Sequence, residues 1–153
     1  MFTTKKAFSL LEILLTIALI GVLMSIIFTA LDPNSVLTQS KDTINKSNVL
    51  KIYTAIEQYT LKNSSYPTSI DNLPDDSVTE ICLNNSPDCT GFVDLSVLIP
   101  TYIKEIPKDP NQTDRTYYFI IKTSDGDIGV GGVNHIDNTT FVEGLAEQSF
   151  IIP

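Results

Sequence analysis

Hydrophobic positions along this 153-residue chain change character twice. Across 8–31 they are continuous, interrupted by no proline, one glycine (Gly21) and one charge, Glu12. A helix of that length, at ~1.5 Å per residue, spans ~36 Å and crosses a hydrocarbon core of ~30 Å with some tilt. Across 32–63 they become periodic. Val49, Ile52, Tyr53, Ile56 and Tyr59 recur at steps of three and four, which predicts an amphipathic helix over 33–62 with these residues on one face. Lys51, Thr54, Glu57 and Gln58 fall mostly elsewhere. The first part of that helix, 38–48, is polar apart from Ile44 and is expected to stand exposed until neighbours pack against it. Beyond 63 the apolar residues come in short aromatic and β-branched groups, expected of a small α+β domain over 64–153.

Breakers set the boundaries. Asp32 is a good N-cap and Pro33 a good first helical residue, so a kink or restart is expected where the continuous run ends. Asn63-Ser64-Ser65-Tyr66-Pro67 closes the second helix. The stretch 70–89 is rich in Asp, Asn, Pro and Ser and reads as a loop with a short helical turn. A short capped helix follows over 94–100, then a crossing held extended by Pro100, Pro107 and Pro110. Residues 116–123 form the clearest strand, Ser124-Asp125-Gly126-Asp127 a turn, and 128–130 the returning strand. Gly131-Gly132 is expected to weaken any continuation, while 139–142 and 149–152 each suit a short strand.

Charge orients the chain. Lys5 and Lys6 precede the apolar run, so the positive-inside bias keeps the N-terminus in the cytoplasm and exports 32–153. Net charge is −8, and the basic residues are scattered rather than striped, which argues against direct binding of nucleic acid. Cys82 and Cys89 are separated by turn-forming residues. A disulfide there is the favoured reading and contributes ~2.5 kcal/mol on the chain-entropy estimate. Two free thiols are the alternative, and a metal site fits poorly because the single histidine, His135, cannot complete four ligands.

Glu12 is the residue that simple readings of the apolar run handle worst, because a carboxylate within a membrane helix is costly. A cleaved secretory signal has a shorter apolar region, and a cut after Ala30 puts bulky Phe28 at the third position before it. A plain anchor tolerates Glu12 by letting it snorkel toward the side of Lys5 and Lys6. A soluble core helix needs cover on all sides, which the rest of the chain cannot give.

Lys6-Ala7-Phe8-Ser9-Leu10-Leu11-Glu12 followed by the apolar run resembles the prepilin-type signal of type IV pilins and type II secretion pseudopilins. The resemblance implies a leader over 1–7, a cut between Ala7 and Phe8 by a prepilin peptidase, and N-methylation of Phe8. Ala7 departs from the glycine usual in the family. Segment 8–31 then serves as transmembrane and polymerisation helix, 32–63 as an amphipathic helix, and 64–153 as an α+β head carrying a small antiparallel sheet. Tyr59 with Tyr66-Pro67, and Ile106-Pro107-Lys108-Asp109-Pro110, resemble further pseudopilin segments. The implied partners are copies of itself or related pilin subunits in a helical filament, the peptidase, a membrane assembly platform with its ATPase, and lipid before assembly. The implied location is the inner membrane, then a periplasmic or cell-surface filament. In a dry filament core an unpaired carboxylate is strongly disfavoured. Glu12 of one subunit is therefore expected to neutralise the Phe8 amine of its neighbour and fix axial register.

Other chemistry is sparse. Asp125 and Asp127, with Asp109, Asp114 and Asp137 nearby in sequence, offer oxygens for Ca²⁺ but lack the twelve-residue loop and its closing Glu. A plain hairpin turn accounts for the same Asp-Gly residues. His135 has no acid–base partner that spacing identifies. No catalytic constellation stands out, so the chain is expected to be a substrate of processing rather than an enzyme. Two other classes remain open: a minor or tip subunit that binds DNA or a surface through its head, and a single-pass anchored domain that never polymerises.

Overall fold

The computed structural model of the chain describes residues 9–30, 33–84, 86, 88–135 and 138–145, with backbone alone at 28–30 and 33–35. Two long helices come first, α1 (Leu10–Ala30) and α2 (Pro33–Asn63), then a single turn, α3 (Thr68–Asp71). Strands β1 (Ser77–Glu80), β2 (Phe119–Lys122), β3 (Ile128–Val133) and β4 (Thr140–Glu143) complete the α+β architecture. The chain divides into two compact units at Leu37. Leader residues 1–7, the Ala7–Phe8 peptide, the Asp32 cap, Asp137 and the strand expected over 149–152 lie outside the described residues.

In the first unit, α1 is apolar around its circumference, and its large side chains are half to four-fifths exposed. The hydroxyls of Thr16 and Ser25 donate to the helix's own carbonyls at Ile13 and Val22 (2.8 and 2.7 Å). That back-bonding leaves few polar hydrogens needing outside partners. The helix is long and apolar enough, from Leu10 to Ile27, to cross a membrane.

In the second unit, the apolar stripe of α2 is its anchor. Val49, Ile52, Ala55 and Ile56 are buried in one core with Ile120, Ile128 and Val130 of the sheet and with Ile81, Val93, Leu95 and Leu98. The sheet is an antiparallel meander in the order β1-β2-β3-β4, with Val78 opposite Ile121, Ile121 opposite Gly129, and Gly131 opposite Val142. The β2–β3 turn has Gly126 at φ +84°, and its N–H donates to Thr123 O (3.0 Å). Asp94 Oδ1 accepts the Ser96 N–H (2.8 Å) just ahead of a 3₁₀ turn at Ser96–Leu98, within the short helix expected there.

Four expectations need correction. Residues 70–89 are not simply loop: β1 lies among them, its short Ser-Val-Thr core masked in sequence by Asp75 and Asp76 and completed by pairing with β2. The clearest strand begins later than Thr116, because Tyr117 turns to φ +56° and the Thr116 hydroxyl donates to Ile81 O (2.6 Å). Gly131-Gly132 does not end β3. A Cβ on Gly132 would meet Phe141 at 2.9 Å and Tyr118 and Val49 at 3.3 Å, so the missing side chain makes room for theirs. Finally, 38–48 is not a bare polar segment, as the next subsection describes.

Candidate functional site

Among the described residues, α1 and α2 each carry polar groups where burial or apolar surroundings make them costly. The first is Glu12, which lies in the opening turn of α1 with its N–H donating to Ser9 O (3.0 Å). Its side chain is exposed on a helix otherwise free of charge among the described residues. Thus the carboxylate sits at the N-terminal end, where the helix dipole favours an anion.

The second is a network on α2. Asp42, Asn45 and Asn48 are all buried, at steps of three along the same side that carries Val49 and Ile52. Asn45 Nδ2 donates to Asp109 Oδ2 (3.0 Å) and Asn45 Oδ1 accepts the Tyr118 hydroxyl (2.8 Å). Asn48 Nδ2 donates to that same hydroxyl oxygen (3.1 Å). Asp109, only 1% exposed, also accepts His135 Nε2–H on Oδ2 (2.6 Å) and the Asn111 N–H on Oδ1 (2.7 Å). The His135 N–H donates to Asp42 Oδ1 (3.0 Å), and Lys41 Nζ reaches Asn111 Oδ1 (2.8 Å). His135, for which spacing identifies no acid–base partner, has one in Asp109. Burial, with Asp109 adding to it, pushes the Tyr118 hydroxyl up to about 12 even though the Asn48 bond acts the other way. Buried amides and carboxylates cost free energy unless paired, and here nearly every one is. Asp42 Oδ2 is the exception, buried without a hydrogen-bond partner. The arrangement can lock α2 to its unit, and through Asn48 it reaches an open groove shared with Lys51 and Tyr102.

A smaller cluster surrounds the disulfide. Cys82 and Cys89 are bonded, closing the loop over 83–88. Thr90 donates from its N–H and its hydroxyl to Asp88 Oδ1 (2.8 and 2.5 Å), which holds that carboxyl below the usual range. Beside the loop, buried Glu80 pairs with Arg115 and accepts the Tyr117 N–H (3.0 Å). The Arg115 guanidinium, half exposed, lies over the rings of Phe92 and Tyr117 (5.2 and 5.6 Å).

Asp125 and Asp127 lie exposed in the β2–β3 turn. Asp109 is committed to the α2 network instead, and the described residues contain no group of three acidic, His or Cys side chains placed to hold a metal. The turn does belong to an acidic end of the unit. Lys122 Nζ contacts Asp75 Oδ1 (3.2 Å) and the carbonyls of Asp71 and Leu73 (3.1 and 2.8 Å). Burial first, then the nearby carboxylates of Glu57, Asp127 and Asp71, raise the Tyr66 hydroxyl pKa.

No family model, curated protein or solved structure matches the chain. Sequence reasoning missed the α2 network. The signal was present: 42, 45 and 48/49 continue the spacing of 52 and 56, so small polar residues extended the apolar face.

Proposed function

We propose that this chain is a structural subunit of a filament of the type IV pilus or type II secretion pseudopilus kind. The observation that carries the reading is α1: apolar on every side, exposed along its described length, and charged only at Glu12 in its first turn. Such a surface needs cover that a single chain does not supply, first lipid and then neighbouring helices. Exchanging lipid for protein brings little hydrophobic drive, so close packing and polar pairing decide which helices associate. A cut between Ala7 and Phe8 creates the amine that Glu12 of the next subunit neutralises, and the pair sets register. The amphipathic α2 and the four-stranded head then coat the filament. In this reading the chain is inserted once in the inner membrane, is processed by a prepilin peptidase, and is built in by a membrane platform and its ATPase.

Mass spectrometry of the N-terminus of the protein taken from cells tests the processing. The expected start is N-methyl-Phe8, and an intact Met1 start sinks the reading. Glu12→Leu should insert in the membrane normally yet yield no ordered filaments. Normal filaments from that variant would remove Glu12 from the mechanism.

One observation favours the tip-subunit alternative. Arg115, Phe92 and Tyr117 form a half-exposed cation–aromatic surface beside a groove of about 470 Å³, with Tyr117 at a backbone angle bulky residues rarely adopt. Loss of adhesion or DNA uptake on Arg115→Ala, with filaments intact, would select that reading. Unchanged binding functions leave the coat role.

A further inference from the structure

The second unit distributes its charge unevenly, and the unevenness is tied to shape. An open groove of about 640 Å³ runs between α2 and the proline-rich crossing, lined by Leu50, Lys51, Thr54, Tyr102, Lys104 and Glu105 among others. Leu50 is 50% exposed there, and Lys51 and Lys104 are exposed beside it. Lys62 Nζ stands 5.8 Å from the Tyr102 ring that forms one wall, and Tyr59 meets the same ring edge-on at 5.6 Å. The groove thus gathers Lys51 and Lys104 against Glu105, with Lys62 against its Tyr102 wall, in a chain whose net charge is −8.

The opposite sign collects at the end of the sheet where Ser77, Lys122 and Ile128 lie in register. Asp71, Asp75, Asp76, Asp125 and Asp127 are all exposed there, with Lys122 bound among them. None of these residues lines the groove.

We infer that the groove of one copy of this chain receives the acidic end of a second copy, in a head-to-tail contact. The inference rests on the filament reading and names the surfaces through which the coats of adjacent subunits meet. Two arguments converge on a second copy as the occupant. Complementary potentials steer association and fix register, and this chain carries both members of the pair on different faces. A contact between unlike surfaces also leaves each copy with its groove and its acidic end still to be used. It therefore propagates into an open array unless its rotation happens to close a ring. Leu50 and Tyr102 supply the apolar floor that exposed ion pairs, worth little by themselves, require.

Carbodiimide cross-linking of the full-length chain in its membrane at low ionic strength tests the contact, because it joins amines only to carboxylates in direct reach. The dimer-sized product, digested and mapped by mass spectrometry, should link Lys51 or Lys104 of one copy to an aspartate among 71, 75, 76, 125 and 127 of another. Lys51→Glu with Lys104→Glu should lower the dimer yield at least about tenfold, since like charges then face each other. Adding Asp71→Lys and Asp125→Lys to that variant should restore it to within about twofold, the same tenfold arithmetic run in reverse. All substituted residues are exposed, and an unchanged urea midpoint of the second unit in each variant reports that the unit has folded. A dimer yield indifferent to the groove reversal overturns the contact, as does a combined variant no better than the reversal alone. The two proposals fail separately. A chain starting at N-methyl-Phe8 without these cross-links overturns the contact and spares the filament reading. Cross-links in a chain still starting at Met1 do the opposite.

Discussion

Helices α1 and α2 differ in the reverse of the usual sense. The more hydrophobic one buries no side chain within its described span from Leu10 to Ile27, while the more polar one buries Asp42, Asn45 and Asn48 along with its apolar stripe. Burial within the chain therefore does not follow hydrophobicity. It follows which surface the chain itself can satisfy. A polar face of small amides and one carboxylate can be met by Asp109, Tyr118 and His135 from the same unit. An all-round apolar surface of this length cannot be covered by a domain of this size.

The contrast is sharpest in the cost of shortening a side chain. Ile52→Ala should destabilise the second unit by about 2–5 kcal/mol, as for other fully buried isoleucines. Leu15→Ala on α1 should leave that unit's urea midpoint within about 0.5 kcal/mol of wild type. A large effect of Leu15→Ala in detergent would break the distinction. Replacing Cys82 and Cys89 by Ala comes next, at about 2.5 kcal/mol for so short a loop. It should lower the thermal midpoint of the second unit.

Asn45→Ala should cost about 1–3 kcal/mol, because the Tyr118 hydroxyl and one bond to Asp109 lose their partner in a dry site. A neutral outcome in the same unfolding assay would mean that water replaces the amide. A further effect is one of pH. The folded state holds the Tyr118 proton to about 12, whereas the unfolded chain releases it near 10. The unfolded state thus binds fewer protons between those values, and stability falls as pH rises through them. Tyr118→Phe should flatten that alkaline decline, measured as unfolding free energy between pH 9 and 12.

Sequence reading reached the helices, the β2–β3 hairpin and the Cys82–Cys89 bond because each has a local cause: hydrophobic period, turn chemistry, short spacing. β1 escaped because its pairing comes from residues 119–122, far along the chain, and its own four residues include no strong apolar run. His135 was unreadable for the same reason. Its partners Asp109 and Asp42 stand 26 and 93 residues away, and no local pattern announces a contact of that range. Gly132 shows a third kind of failure. As a residue it argues against a strand, and only its position beneath Phe141 and Tyr118 reverses the sign.

The bond between Asp42 and the His135 amide also has a bearing on biogenesis. Its two ends are 93 residues apart, so at roughly 5–20 residues per second the ribosome finishes one on the order of 5–20 s before the other. At the start of that interval the polar side of α2 is translated, while its partners at 109, 118 and 135 are still to be made. A nascent chain halted before residue 135 should be open to proteases along 42–48, and the finished one closed. Synthesis of residue 135 is then the event that completes the network on α2.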